Sequence, residues 1–357
     1  MKLIDNRKGV ISNAFNFIDN LNHEVYILGT NKYGLCTAKW LKKLGHNIGG
    51  FINDYFPDSK FGSYDVFNSD KIPINSSIIN CIVEGRVTIA EGNIIKLKPI
   101  SHINYFALQV AFPGQLMGID FLEETNQIAD NIEEYRIIYD HLTDLESKIT
   151  FENISNFRLN RDIQYLKNFA FRLKEQYFEP FIQINKYPTF IDGGGFDGET
   201  SLTFASLYPQ YKVIYYFEPN KSALLNSKEK LKSLPNILFF QKGLWRQSDT
   251  LHFDNSLGSA SKFSTNGNIE IETVALDEII SSKIDFIKLD IEGAEFDALI
   301  GAKRLIQTYR PALAICVYHN QKDFIQIPEL LLSYKSDYKI YLRHYSQGVF
   351  ETVMYFV

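Results

Sequence analysis

Short apolar runs alternate with stretches of three- and four-residue hydrophobic spacing along most of the chain. In the first third, apolar runs at 24–28, 48–52, 77–83 and 102–108 predict strands. A helical stretch follows the first of them and stops at Gly45, a C-cap residue. Strand, glycine turn, helix, strand is the βαβ unit of a parallel sheet. From about residue 119 the period changes. Ile128, Ile132, Tyr135, Ile138, Leu142 and Leu145 recur as one helical stripe. Asn160 stands where it would cap a second helix, with Ile163, Leu166, Phe169, Leu173 and Tyr177 turned inward. From Pro188 the strand pattern returns at 189–191, 212–217, 237–240, 285–289, 312–317, 339–343 and 352–357. Too few residues separate the last two runs for a helical crossover, so the second sheet finishes in an antiparallel hairpin. The pattern therefore predicts an α/β chain of two Rossmann-like domains, 1–118 and 185–357, joined by a helical connector over 119–184.

Composition fits that picture. The chain has 357 residues, enough for two average domains. Its net charge is −5, which argues against nucleic acid as a partner. Phe and Tyr are abundant, 28 and 21 against 2 Trp. Compositional bias explains that better than sugar-stacking platforms do. Cys36, Cys81 and Cys316 form no CxxC pair and are read as buried thiols rather than a disulfide framework or zinc knuckle. No run approaches the ~20 apolar residues of a membrane span, and the opening residues lack a signal-peptide core. The expectation is a cytoplasmic protein.

The strongest local signal is Asp192-Gly-Gly-Gly-Phe-Asp-Gly-Glu-Thr200, which follows an apolar strand and opens a helix. Gly193, Gly195 and Gly198 satisfy G-x-G-x-x-G, a turn that lets backbone approach a ligand closely. Glu218 ends the next strand twenty residues later, where a carboxylate can accept from two ribose hydroxyls. These features point to a nucleoside-containing cofactor. Three observations favour S-adenosyl-L-methionine over a nicotinamide dinucleotide. Asp192 places an anion where a dinucleotide puts its pyrophosphate. Glu199 adds a second carboxylate near the same helix start. The terminal hairpin matches the seven-stranded methyltransferase sheet.

A second signal is Phe286-Ile-Lys-Leu-Asp-Ile-Glu-Gly-Ala-Glu295. Asp290 ends a buried strand, and Glu292 and Glu295 lie in the turn and helix start that follow. Ligands in open α/β sheets sit beyond the carboxyl ends of strands, and carboxylates gathered there meet cations or act on protons. His319 ends the next apolar strand and can exchange a proton near neutral pH. His344 ends a later one and carries a weaker claim. The HxxxH and HExxH spacings are absent, so no metal site is expected.

Seven pieces appear in order: the Asp192 turn, Phe217-Glu-Pro-Asn220, Gly243-Leu-Trp245, Gly258-Ser-Ala-Ser261, Leu276-Asp-Glu278, the Asp290 turn and Tyr318-His319. Together they resemble the FkbM family of S-adenosylmethionine-dependent methyltransferases over roughly 185–357. The resemblance implies O-methylation of hydroxyls on sugars, glycans or polyketides. It implies cofactor contacts from Asp192, Gly193, Gly195, Asp197, Glu199, Glu218, Pro219, Gly243, Leu244, Trp245 and Asp290. Asp290, Glu292 and His319 would face a carbohydrate or other small-molecule acceptor, with His319 as the preferred base. In the first domain Gly29 and Gly34 frame a degraded fingerprint, with Asn31 at its middle glycine position. A nucleotide or nucleotide-sugar there, and a ligand-free docking domain, are equally open readings. An N-methyltransferase, a nicotinamide-dependent oxidoreductase and a non-catalytic nucleotide-sugar binder are the alternatives to a sugar O-methyltransferase.

Overall fold

The computed structural model describes residues 1–122, 126–254, 262–263 and 269–357. The chain forms two compact units. Unit 1 is Met1–Ile132, Phe151–Phe171 and Tyr345–Phe350; unit 2 is Glu133–Thr150, Arg172–His344 and Glu351–Val357. Residues 119–184 thus contribute to both units. Among the described residues no helix is long and apolar enough to cross a membrane.

Unit 1 is built on six strands: β1 Val25–Leu28, β2 Ile48–Ile52, β3 Ser59–Phe61, β4 Tyr64–Phe67, β5 Ser77–Asn80 and β6 Ser101–Asn104. Their order is β3-β4-β2-β1-β5-β6, with every pair parallel except β3 with β4. The strand expected over 102–108 is half strand and half helix. Asn104 turns extended, its side chain accepts from the Ala107 N–H, and the helix Tyr105–Ala111 begins. The helix Lys32–Lys43 has the capped start and basic last turn that suit its dipole, and buries Ala38, Trp40 and Leu41. The second connector helix is also corrected. The helix Leu145–Asn160 ends at Asn160, because Arg161 takes a left-handed φ of 59°. Ile163–Leu166 and Leu173–Glu175 are single 3₁₀ turns. Nor does the predicted stripe run through to Leu145, which is 72% exposed, although Tyr135, Ile138 and Leu142 are buried. Cys81 and Cys316 are buried as expected, but Cys36 is only half-buried.

Unit 2 has β7 Thr189–Gly193, β8 Val213–Phe217, β9 Ile237–Phe240, β10 Gly243–Leu244, β11 Asp249–Asp254, β12 Lys262–Phe263 and β13 Ile269–Val274. It continues with β14 Phe286–Leu289, β15 Ala312–Cys316, β16 Ile340–His344 and β17 Thr352–Phe356. Seven of these make a sheet ordered β16-β17-β15-β14-β7-β8-β9. β17 is antiparallel to both neighbours, and the other pairs are parallel. This is the predicted sheet with its terminal hairpin. β10 to β13 form a separate small sheet that the apolar pattern does not announce. The Gly258-Ser-Ala-Ser261 segment lies outside the described residues. Several of the numerous aromatic residues are core: Phe190 stacks on Phe204 and Phe286 at centroid distances of 4.3 and 5.3 Å. The chain leaves β7 toward β8 on one side, while β14 flanks β7 on the other. The strand order therefore reverses between β7 and β14, where open α/β sheets bind ligands at their carboxyl ends.

Candidate active site

The glycine turn at the end of β7 is held by backbone and by close packing. The N–H groups of Gly194 and Gly195 both donate to the Phe217 carbonyl at 3.0 Å. Gly194 has φ +71°, and a Cβ there would lie 1.8 Å from the Asp290 carbonyl oxygen. A Cβ on Gly195 would lie 2.1 Å from the Tyr216 ring. Only glycine fits either position. Gly198, at φ +82°, ends the turn and opens the helix Glu199–Leu207.

Asp192 is fully buried. Its Oδ2 accepts from Ser201 Oγ at 2.6 Å, and its Oδ1 lies 3.2 Å from Lys288 Nζ. Lys288 also donates to the carbonyls of Gly193 (3.1 Å) and Gly194 (2.7 Å). The ion pair meets the Asp192 charge inside the protein. That strand end therefore does not by itself separate a sulfonium from a phosphate; the Asp290 side of the cleft carries the unmatched negative charge. Lys288 is the site residue that motif reasoning missed. Its only sign was a lysine inside an apolar strand run.

Glu218 is buried at the tip of β8. Its oxygens accept from the N–H groups of Phe196 (3.0 Å) and Asn220 (2.7 Å). Burial raises its pKa above the ordinary glutamate value, with those two N–H groups opposing. Two of its roughly four lone-pair positions remain for other donors. Pro219 follows it, half-buried. Asp197 and Glu199 are exposed and turn to Lys230, at 3.0 and 2.6 Å, rather than joining Asp290. Gly243 and Leu244 form β10, with Leu244 buried. Trp245 donates its N–H to the Val274 carbonyl at 3.0 Å and is half-buried.

Asp290, Glu292 and His319 do come together. Tyr177 and Tyr318 hydroxyls donate to the two Asp290 oxygens at 2.8 and 3.2 Å. His319 is buried at the end of the β15 segment. Its Nε2 lies 3.5 Å from Asp290 Oδ1 and 3.6 Å from Glu292 Oε2. Its Nδ1 lies 2.9 Å from Oε1 of Glu295, which is fully buried and also accepts the Ile291 N–H. Glu292 has a left-handed φ of 57° and a side chain 45% exposed. Burial pulls an imidazole down, but the carboxylates of Glu295, Asp290 and Glu292 outweigh it and hold His319 at about 9. Burial, with the neighbouring carboxylates adding to it, pushes Glu292 up to about 7. So arranged, the three carboxylates favour positive charge at the imidazole. His344 is turned elsewhere, its Nδ1 2.9 Å from Thr352 Oγ1. In unit 1, the Gly34 N–H is taken by Asn31 Oδ1 at 2.9 Å, while Asn31 Nδ2 donates to the Cys81 carbonyl. The Gly29 turn survives the missing glycine, closed by its own side chain.

Comparison with known proteins adds to this geometry. A family profile described as the methyltransferase FkbM domain matches residues 192–345. That segment of the chain is thus similar to FkbM methyltransferase domains. The 2-O-methyltransferase NoeI of Sinorhizobium fredii (strain NBRC 101917 / NGR234) is 25% identical over 148 residues, 34% of this chain and 60% of that protein. The chain thus spans about 60% of the length of the curated relative it matches. The crystal structure of methyltransferase FkbM from Methylobacillus flagellatus KT superposes with a TM-score of 0.76 at 21% identity. That match covers 99% of this chain and 94% of that one, so the fold outside residues 192–345 is shared as well. The matched segment begins at Asp192 and includes Glu218, Asp290, Glu292 and His319.

Proposed function

We propose that this chain is an S-adenosyl-L-methionine-dependent O-methyltransferase that acts on a sugar hydroxyl of a glycan or nucleotide-sugar. The observation that carries the reading is the convergence, at one strand-order reversal of an FkbM-like domain, of a glycine turn with Glu218 and a half-open Asp290–Glu292–His319 group. Similarity to a 2-O-methyltransferase supports oxygen as the acceptor atom.

The residues fit the cofactor. Glu218 retains lone pairs for the ribose hydroxyls, and the glycine turn brings unobstructed backbone to the cleft. Leu244 ends β10 and Trp245 follows it, and these two would take the adenine. Asp192 acts from behind: through Lys288 it fixes the carbonyls of Gly193 and Gly194. S-adenosyl-L-methionine, when bound, supplies an electrophilic methyl group. The protein's task is to align an acceptor oxygen with it and to receive the hydroxyl proton. Glu292 is the more exposed of the two carboxylates beside His319, 45% against 24% for Asp290, and receives that proton on a carboxylate oxygen. Asp290, fixed by two tyrosine hydroxyls, orients the acceptor.

Titration calorimetry of the intact chain with S-adenosylhomocysteine tests the cofactor half. Glu218→Ala should weaken binding about ten- to a hundred-fold, since a buried hydrogen bond to a charged group contributes about 1.5–3 kcal/mol. No binding by the intact chain overturns the reading. Release of S-adenosylhomocysteine on incubation with S-adenosylmethionine and a set of nucleotide-sugars tests the acceptor half.

A further inference from the structure

We propose that Asp290, Glu292 and His319 form a divalent-cation site, with Glu295 as the carboxylate that fixes the imidazole. The distances carry it. His319 Nε2 stands 3.5 Å from Asp290 Oδ1 and 3.6 Å from Glu292 Oε2. Both separations exceed the 2.7–3.2 Å of N–H···O hydrogen bonds. They match two ligands of one ion: with metal–ligand bonds of about 2.0–2.2 Å, neighbours at a tetrahedral angle lie about 3.3–3.6 Å apart.

The other ring nitrogen has the partner that such a site needs. Nδ1 lies 2.9 Å from Glu295 Oε1, the carboxylate–histidine arrangement that sets the tautomer and aims Nε2 at an ion. Ligand atoms of Asp290, Glu295 and His319 all lie within 4.8 Å of one another. A separate observation points to a cation. Glu295 is 0% exposed, and its Oε2 has no hydrogen-bond partner among the described residues. A buried carboxylate oxygen left this way signals positive charge still to be supplied. Lys288, the nearby buried ammonium, is occupied with Asp192 and two carbonyls.

Two carboxylates and one imidazole suit Zn²⁺ or Mn²⁺ and leave a coordination position open. A tetrahedral ion held by these three side chains has one position left, which would take the acceptor oxygen. That last step rests on the methyltransferase reading; the cation site does not. Glu292 ligates through one oxygen and leaves the other to receive the acceptor's proton.

The test is Mn²⁺ binding to the chelator-treated intact chain, followed by calorimetry and by the electron paramagnetic resonance signal of the ion. The expected result is one Mn²⁺ per chain, lost in Asp290→Asn and weakened about ten- to a hundred-fold in Glu295→Gln. Glu292→Gln, whose side chain is half-exposed, should weaken binding in a folded chain and guards against misfolding of the buried variants. If Mn²⁺ and Zn²⁺ both fail to bind, or Mn²⁺ binds equally to all three variants, the site is overturned. Failure to bind S-adenosylhomocysteine would overturn the cofactor reading and leave the cation result standing.

Discussion

Lys288 lies in the middle of β14 with its ammonium almost entirely out of water. Its three oxygen partners are one side of a buried pair and two turn carbonyls, so removing it strands Asp192. Breaking a buried pair from one side costs about 3–5 kcal/mol, and Lys288→Met should lower stability by that order in urea unfolding. Gly195→Ala acts on the same turn by crowding. Its methyl would press on the Tyr216 ring, at an overpacking cost of about 1–3 kcal/mol, and S-adenosylhomocysteine affinity should fall in calorimetry. At this scale the sequence was informative wherever a spacing rule existed. The glycines, Glu218 and Asp290 announce themselves by position relative to strand ends. Lys288 and the His319–Glu295 pairing do not, because both are cross-element contacts with no fixed separation along the chain. The carboxylates around His319 were hidden for a related reason: they come from a turn 24 to 29 residues earlier, and they favour positive charge at the imidazole.

The edge strand β16 shows how an element is secured. Arg343 reaches Asp144 at 2.7 Å and donates to Ser147 Oγ at 2.9 Å, while Ser147 Oγ accepts the Leu342 N–H. Burial alone would raise the Asp144 pKa, but Arg343 and Ser147 outweigh it and hold it below the usual 3.8. A depressed carboxylate pKa stabilises the fold above its unfolded value, and that contribution disappears as pH falls through the folded value. Asp144→Asn should therefore lower Tm near pH 7 and narrow the loss of Tm between pH 5 and about 3, a comparison open to thermal unfolding followed by circular dichroism. Most strands of the seven-stranded sheet were legible, since parallel strands covered on both faces read as unbroken apolar runs. β3, β4 and the β10–β13 sheet were not. They are short, and β3 is largely exposed, so neither length nor alternation marks them.

At the scale of the molecule, the linear division at 118 and 184 and the compact units follow different cuts. Residues 133–150 and 172–184 belong to unit 2, and 345–350 to unit 1. Apolar periodicity reports an element's type but not which sheet it joins, which is why the pattern could not show this. A fragment spanning 185–357 should accordingly be less stable than the intact chain. It lacks Asp144 and Ser147, which hold β16, and Tyr177, which holds Asp290. Limited proteolysis should degrade the fragment faster, and equal resistance would show that those contacts are dispensable. The short loop between β16 and β17 has a consequence of its own. Gln347 donates its N–H to the Gly85 carbonyl and its side-chain amide to the Phe169 carbonyl, both within unit 1. A ribosome releases the chain from its amino end, and domains ordinarily fold as they emerge. Here the first unit waits for a hexapeptide that follows residues 172–344 of unit 2, so its completion is delayed until most of unit 2 has been made.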